Sequence, residues 1–340
     1  MELGAPFAKM FAHAAALVAA TVRNFGTFAG VSPDAVWRAP VPQAGSTATR
    51  VRLRVWTNAL RMHQWAKNAL VFVPLLTSHQ FSEANCLESA LAFLAFSFCA
   101  SAVYLLNDLV DLEADQAHPT KRFRAVASGQ LPAGMAAAAI PFLLLISFST
   151  ALAVSPAFAS ILTGYVLVTT AYTFYLKRQV IVDIVVLASL YTVRTIAGAI
   201  AIDVPLSEWL LVFCIFIFTS LALIKRYAEL SMRQGATLAD ATNRDYGVSD
   251  MQIVAALAAA SGLNAITIIC LYLSSPAVRG LYHKPVLLWL LVPLLIYWVA
   301  RTLMLAHRRQ MNDDPIVFAM KDRNSLLTFA LIGFIMVAAI

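Results

Sequence analysis

The sequence predicts an all-α integral membrane protein with nine transmembrane helices, and three observations predict it. Of its 340 residues, 60% are hydrophobic and only 13% charged, against about a quarter charged in an average soluble domain. From Arg50 onward, apolar runs of helical length alternate with polar loops. The basic residues fall in those loops and crowd onto one side of the implied membrane.

Residues 1–49 stand apart as an N-terminal segment. Ala5–Ala20 is Ala-rich with Lys9 and His13 inside it, and suits an interfacial helix. A signal peptide with Ala14–Ala20 as its apolar stretch is the competing reading, but no convincing cleavage site follows. Residues 31–49, with three prolines and a glycine, read as a linker.

Residues 50–340 form the membrane domain. Nine spans are expected at about 66–82, 87–107, 132–153, 157–176, 183–202, 208–226, 251–274, 285–306 and 325–340. Pro74 and the polar run Thr77–Gln80 make the first the weakest. Alternate loops place nineteen Lys and Arg on one side and only Arg279 and Lys284 on the other, so the first side is cytoplasmic and the membrane is the plasma (inner) membrane. The net charge of +7 is thus a matter of topology, and no nucleic-acid partner is expected. Cys86, Cys99, Cys214 and Cys270 are widely spaced and read as small hydrophobes, with neither disulfide nor metal spacing.

The stretch from Tyr104 to Gly129 carries the chemistry. Asp108, Asp111, Glu113 and Asp115 lie within eight positions, directly after an apolar run. On a helix Asp108, Asp111 and Asp115 share a face beside Asn107, and like charges so stacked need something positive between them. Carboxylate oxygens at the mouth of a membrane bundle suit Mg²⁺, which is usually bound through one or two carboxylates plus substrate phosphates. Lys121, Arg122 and Arg124 follow in one short loop and complete a phosphate site. A solvated acidic turn is the bland alternative, and the flanking hydrophobic pattern argues against it.

Other polar clusters open to the same side. They are Arg61–Asn68, containing Gln64 and Lys67; Tyr172–Asp183, containing Lys177; Lys225-Arg226; and Asp313-Asp314 with Lys321–Arg323. Arg194 differs in kind, because it falls well inside the span that begins near Asp183. A guanidinium there is costly unless it faces the bundle interior with a partner, which is either a ligand phosphate or a structural ion pair. Its bidentate fork favours the phosphate.

NDLVDLEAD at Asn107–Asp115 resembles the NDxxDxxxD motif of the UbiA-type prenyltransferase superfamily, integral membrane enzymes of nine helices. The resemblance covers about residues 54–340. Its nearest branch is that of the decaprenyl-phosphate phosphoribosyltransferases, on RMHQWAKN (61–68), residues 107–129, YTFYLKRQVIVDIVVLASLYTVRTIAGA (172–199) and DDPIVFAMKDR (313–323). It implies transfer of 5-phosphoribose from phosphoribosyl pyrophosphate to a polyprenyl phosphate, with self-association such as a trimer compatible with it. Asp108, Asp111 and Asp115 would be catalytic and, with Asn107, hold Mg²⁺. Gln64, Lys67, Tyr104, Lys121, Arg122, Arg124, Tyr172, Lys177, Asp183, Arg194, Lys225 and Arg226 would bind the substrates. Prenyl-transferring relatives carry a second aspartate motif, DxxxD, whereas here Leu187 stands four positions after Asp183. That departure argues against the alternative, prenyl transfer from a prenyl diphosphate to an aromatic acceptor.

Overall fold

The computed structural model describes residues 46–117, 121–236, 245–311 and 314–340. The chain divides between Leu53 and Arg54, and apart from the first residues of α1 every element discussed below lies in the unit Arg54–Ile340. The helix expected at Ala5–Ala20 lies outside the described residues, as do Arg244 and Asp313. Helix α1, Ser46–Ala59, begins inside the stretch expected to be linker.

Among the described residues, every regular element is helical. After α1 come a 3₁₀ segment, Met62–Phe72, and α2, Val73–Ser78. Next are α3, Glu83–Val110, α4, Leu112–Ala117, α5, Ala133–Val154, and α6, Pro156–Phe174. They are followed by α7, Val182–Ala201, α8, Glu208–Ala236, α9, Met251–Ser274, and α10, Pro276–Leu281. A 3₁₀ turn, Pro285–Leu290, leads into α11, Leu291–His307, then α12, Pro315–Ala319, and α13, Arg323–Ala339. Seven of these stretches are long and apolar enough to cross a membrane, and α13 is a shorter apolar helix.

Local sequence sets the boundaries. Ser82 caps α3 by accepting from the Asn85 N–H, and Ser155 does the same for α6 from Phe158, with Pro156 in the first turn where its missing N–H costs nothing. Asp322 caps α13 through the Ser325 N–H while pairing with Arg301 at 2.6 Å. The first expected span differs most from a plain helix. Its first part, residues 66–72, is 3₁₀, and it packs so tightly on α7 that Gly198 meets the Val71 carbonyl where a Cβ would stand only 2.1 Å away. A local 3₁₀ adjustment of this kind is tolerated in a membrane bundle where neighbouring helices enclose the backbone.

α3 and α7 are the most enclosed spans, each 61% buried, against 17% for α5. One apolar cluster joins α7, α8, α9 and α11 around Tyr191, Phe218 and Trp298. A second joins Val71 to α3, α6 and α7 around Phe96, Phe158 and Tyr165. The two central helices therefore carry their polar residues, Asp108, Asp183 and Arg194, into protein and away from lipid.

Candidate functional site

The acidic stretch does not form one continuous helix. α3 ends at Val110, Asp111 occupies the bend, and α4 resumes at Leu112, while the Asp111 N–H still reaches Asn107 O at 2.9 Å and the Asp115 N–H reaches Asp111 O at 2.8 Å. Asp108 and Asp115 are both buried and meet at one guanidinium. Arg124 Nη1 lies 2.5 Å from Asp115 Oδ2 and 3.4 Å from Asp108 Oδ1. Arg61 pairs with Asp108 at 2.5 Å, and Lys121 Nζ stands 3.9 Å from Asp115. The positive partner that stacked carboxylates require is thus supplied by the chain itself. A cavity of about 280 Å³ opens here, lined by Asn58, Arg61, His63, Asp108, Phe123, Arg124, Ala125 and Gln130.

The expected set separates at this site. Asp111 enters none of these ion pairs, Asn107 turns its amide toward Thr173 Oγ1 at 3.5 Å, and the exposed Arg122 lies over the Phe123 ring. Among the described residues no three Asp, Glu, His or Cys side chains gather as a metal cluster. The two converging carboxylates nevertheless fit a hard divalent cation. Their donors are all oxygen, both reach one point of positive charge, and such a cation needs only one or two carboxylates when a ligand's phosphates complete its shell.

A second, basic cluster lies between α7, α8, the 3₁₀ segment and the start of α12. Asp314 Oδ2 receives Lys67 Nζ at 3.0 Å, Lys225 Nζ at 3.1 Å and the Tyr191 hydroxyl at 2.8 Å. Burial pushes the Asp314 carboxyl upward, but Lys225, Lys67 and the Tyr191 hydroxyl outweigh it and hold it far below the usual carboxylate range. Arg194 is buried beside this cluster with neutral partners alone. It donates to Asn68 Oδ1 at 2.9 Å, to the Tyr165 hydroxyl at 2.8 Å and to the Leu190 carbonyl. Gln64, in the 3₁₀ segment, is half-buried with an unpartnered Oε1, and Lys177 is half-buried in the turn Leu176–Arg178.

Asp183 and Arg226 are spent on each other. Asp183 is fully buried, pairs with Arg226 and accepts from the Tyr246 hydroxyl at 2.8 Å. Arg226 also bonds Glu229. Burial and the hydrogen bond to Asp183 push the Tyr246 hydroxyl well above its usual range. The same hydroxyl accepts from the Ile181 N–H at 2.6 Å, and Ile181 has φ of 66°, a left-handed conformation that β-branched residues avoid. Tyr172 lies within electrostatic reach of Lys225 and Arg226.

The sequence places Arg61 and Asp314 in polar clusters but gives neither a role of its own. Both lie inside pieces that carried the resemblance, RMHQWAKN and DDPIVFAMKDR, and their partners are too distant along the chain for spacing to expose.

The fold and site define a helical membrane bundle with a polar cavity at Asp108 and a buried basic cluster around Asp314. The chain belongs to the UbiA prenyltransferase family, whose model matches residues 70–338. It is 38% identical over 287 residues to the uncharacterized protein y4nM of Sinorhizobium fredii, covering 84% of this chain and 55% of that one. It is 41% identical over 189 residues to the decaprenyl-phosphate phosphoribosyltransferase of Mycobacterium tuberculosis, covering 53% of this chain and 62% of that one. The chain thus spans little more than half the length of either relative. A solved UbiA homolog from Archaeoglobus fulgidus, bound to GPP and Mg²⁺, matches with a TM-score of 0.62 at 14% identity, covering 84% of this chain and 99% of that one.

Proposed function

We propose that the protein transfers 5-phosphoribose from phosphoribosyl pyrophosphate to a polyprenyl phosphate of the decaprenyl type, at the cytoplasmic face of the plasma membrane. The observation that carries this reading is the state of Asp183. Where prenyl-transferring relatives place a second acidic motif, this chain has one carboxylate, and Arg226 and Tyr246 already satisfy it. One acidic site remains, surrounded by cations, and this suits two phosphorylated substrates better than a prenyl diphosphate and an uncharged acceptor. The likeness to the mycobacterial phosphoribosyltransferase supports the same choice.

In this reaction an acceptor phosphate oxygen forms a bond to ribose C1, the C1–O bond to pyrophosphate breaks, and its electron pair leaves with the pyrophosphate. Asp108 and Asp115, with Asp111 and Asn107 beside them, would hold Mg²⁺, which when bound supplies positive charge to the leaving group. Arg61, Lys121 and Arg124 are placed to exchange their carboxylate partners for phosphate oxygens. Positive charge develops on the ribose as the bond stretches, and the Asp108 and Asp115 carboxylates stabilise it. The acceptor phosphate is already an anion, so no general base is required. Gln64, Lys67, Lys177, Arg194 and Lys225 orient phosphates, and the polyprenyl tail lies along the apolar bundle. The product would be a lipid-linked pentose donor for cell-envelope glycans.

The test incubates purified protein in detergent with Mg²⁺, radiolabelled phosphoribosyl pyrophosphate and a long polyprenyl phosphate. Label is expected in the organic phase, lost with chelator and lost in Asp108→Ala. Full turnover of Asp108→Ala at saturating Mg²⁺ would remove the acidic site from the mechanism. Prenylation of an aromatic acid in place of labelled lipid would return the protein to prenyl transfer.

A further inference from the structure

We propose that Asp314 is a positioning residue that, together with Tyr191, presents Lys67, Lys225 and Arg194 as a binding site for a phosphate monoester. The inference rests on the phosphoribosyl-transfer reading only for the source of that monoester, which is either the lipid acceptor or the 5-phosphate of the sugar.

Charge carries the first part of the argument. Lys67 and Lys225 share the Asp314 carboxylate, and Arg194 beside them has neutral partners alone, which leaves an excess of two positive charges among these four groups. Beside them Asp183 and Glu229 share the single guanidinium of Arg226, and Glu229 lies within electrostatic reach of Lys225, so the wider neighbourhood holds four cations and three carboxylates and stays net positive. Arg194 and Lys67 are buried, and buried charge is expensive unless an opposite charge meets it. A phosphate monoester carries roughly 1.5 to 2 negative charges near neutral pH, enough to neutralise that positive excess.

Geometry carries the second part. One oxygen, Asp314 Oδ2, holds both ammonium groups and the Tyr191 hydroxyl, while Oδ1 accepts from the Ile316 N–H at 3.2 Å and caps α12. Pro315, Val317 and Ala319 of α12 are buried, so the carboxylate is anchored in packed structure. Each ammonium has three N–H donors and spends one on Asp314, leaving donors for a ligand. The Tyr191 ring links the cations, with Lys67 Nζ 5.9 Å and Arg194 Cζ 5.6 Å from its centroid. Tyr104, under the Arg61 guanidinium at 4.8 Å, is an electrostatic neighbour of Tyr191 and so joins this cluster to the cavity at Asp108.

The test is calorimetric titration of the full-length protein in detergent, without metal or co-substrate, using farnesyl phosphate, ribose 5-phosphate, and farnesol as the uncharged control. Asp314→Asn is expected to weaken one phosphate ligand by about tenfold or more while farnesol binding holds. Asp314→Glu should restore most of the loss, and Lys225→Met should weaken the same ligand. Loss confined to farnesyl phosphate assigns the site to the acceptor, and loss confined to ribose 5-phosphate assigns it to the donor. Unchanged or tighter binding of both phosphates by Asp314→Asn overturns the proposal, as does equal weakening of phosphate and farnesol. If Asp314→Asn fails to fold, wild-type phosphate binding by Lys225→Met overturns it. Normal phosphate binding by a wild-type protein that transfers no phosphoribose would sink the transfer reading and leave this site standing.

Discussion

Asp183 shows how one side chain can change a site's chemistry without leaving its place. A carboxylate at the start of α7 is well placed for a metal ion, yet this one is sealed in with Arg226 and the Tyr246 hydroxyl. The pair binds α7 to α8 and to the segment before α9. Removing one member of a buried pair leaves the other charged and unsatisfied, at a cost of about 3–5 kcal/mol. Asp183→Asn is therefore expected to lower the melting temperature in detergent clearly, and Asp183→Leu with Arg226→Met to recover most of the loss. A single Asp183→Asn variant as stable as wild type would show that the carboxylate is free for ligand chemistry.

At the scale of the element, the 3₁₀ segment Met62–Phe72 decides where Lys67 and Asn68 sit. It can approach α7 only because residue 198 is glycine: an added Cβ would meet Val71 O at 2.1 Å, Val71 C at 2.9 Å and Val71 Cα at 3.1 Å, all rigid backbone. Gly198→Ala must push the segment off α7, costing about 1–3 kcal/mol or more and displacing Asn68 from Arg194. Gly164→Ala, where nothing lies within 4 Å, is the matched control and should be nearly neutral. Melting curves of the two variants test this, and equal stability would refute the close approach. Hydropathy made the regular elements legible: spans expected at 132–153, 183–202 and 251–274 are Ala133–Val154, Val182–Ala201 and Met251–Ser274. The 3₁₀ character of the first span was hidden, because it changes hydrogen bonding without changing which residues are apolar. The site was half legible for a related reason. Asp108, Asp115 and Arg124 are neighbours in sequence, whereas Arg194 and Asn68 are 126 residues apart and Tyr191 and Asp314 are 123 apart, so only the packed bundle joins them.

At the scale of the whole molecule, the open quantity is the number of crossings. Two apolar stretches fall short of the ordinary helical span, Met62–Ser78 and α13, yet both run between the same two ends as the long helices. The first starts beside Asp108, through Arg61, and finishes at His79, whose ring stands 5.0 Å from that of Tyr282. α13 starts at Asp322 beside Arg301 and ends where Ala339 O accepts from the Lys284 N–H at 2.9 Å. A 3₁₀ helix rises about 2.0 Å per residue, so Met62–Phe72 covers about 22 Å and α2 about 9 Å more, enough for a hydrocarbon core about 30 Å thick. The stretched backbone thus lets a short segment cross. We predict nine crossings, with His79, Lys284 and Ile340 outside and Arg122 inside. In sealed right-side-out vesicles carrying a Cys86→Ser background, an impermeant maleimide should label Lys284→Cys and Ile340→Cys but not Arg122→Cys until the membrane is permeabilised. If α13 did not cross, Lys284→Cys and Ile340→Cys would fall on opposite sides. If the 3₁₀ segment alone failed to cross, the helices on either side would have to keep their contacts with a segment lying outside the lipid, and the Arg61–Asp108 pair at its start and the packing of Val71 on Gly198 could not both survive.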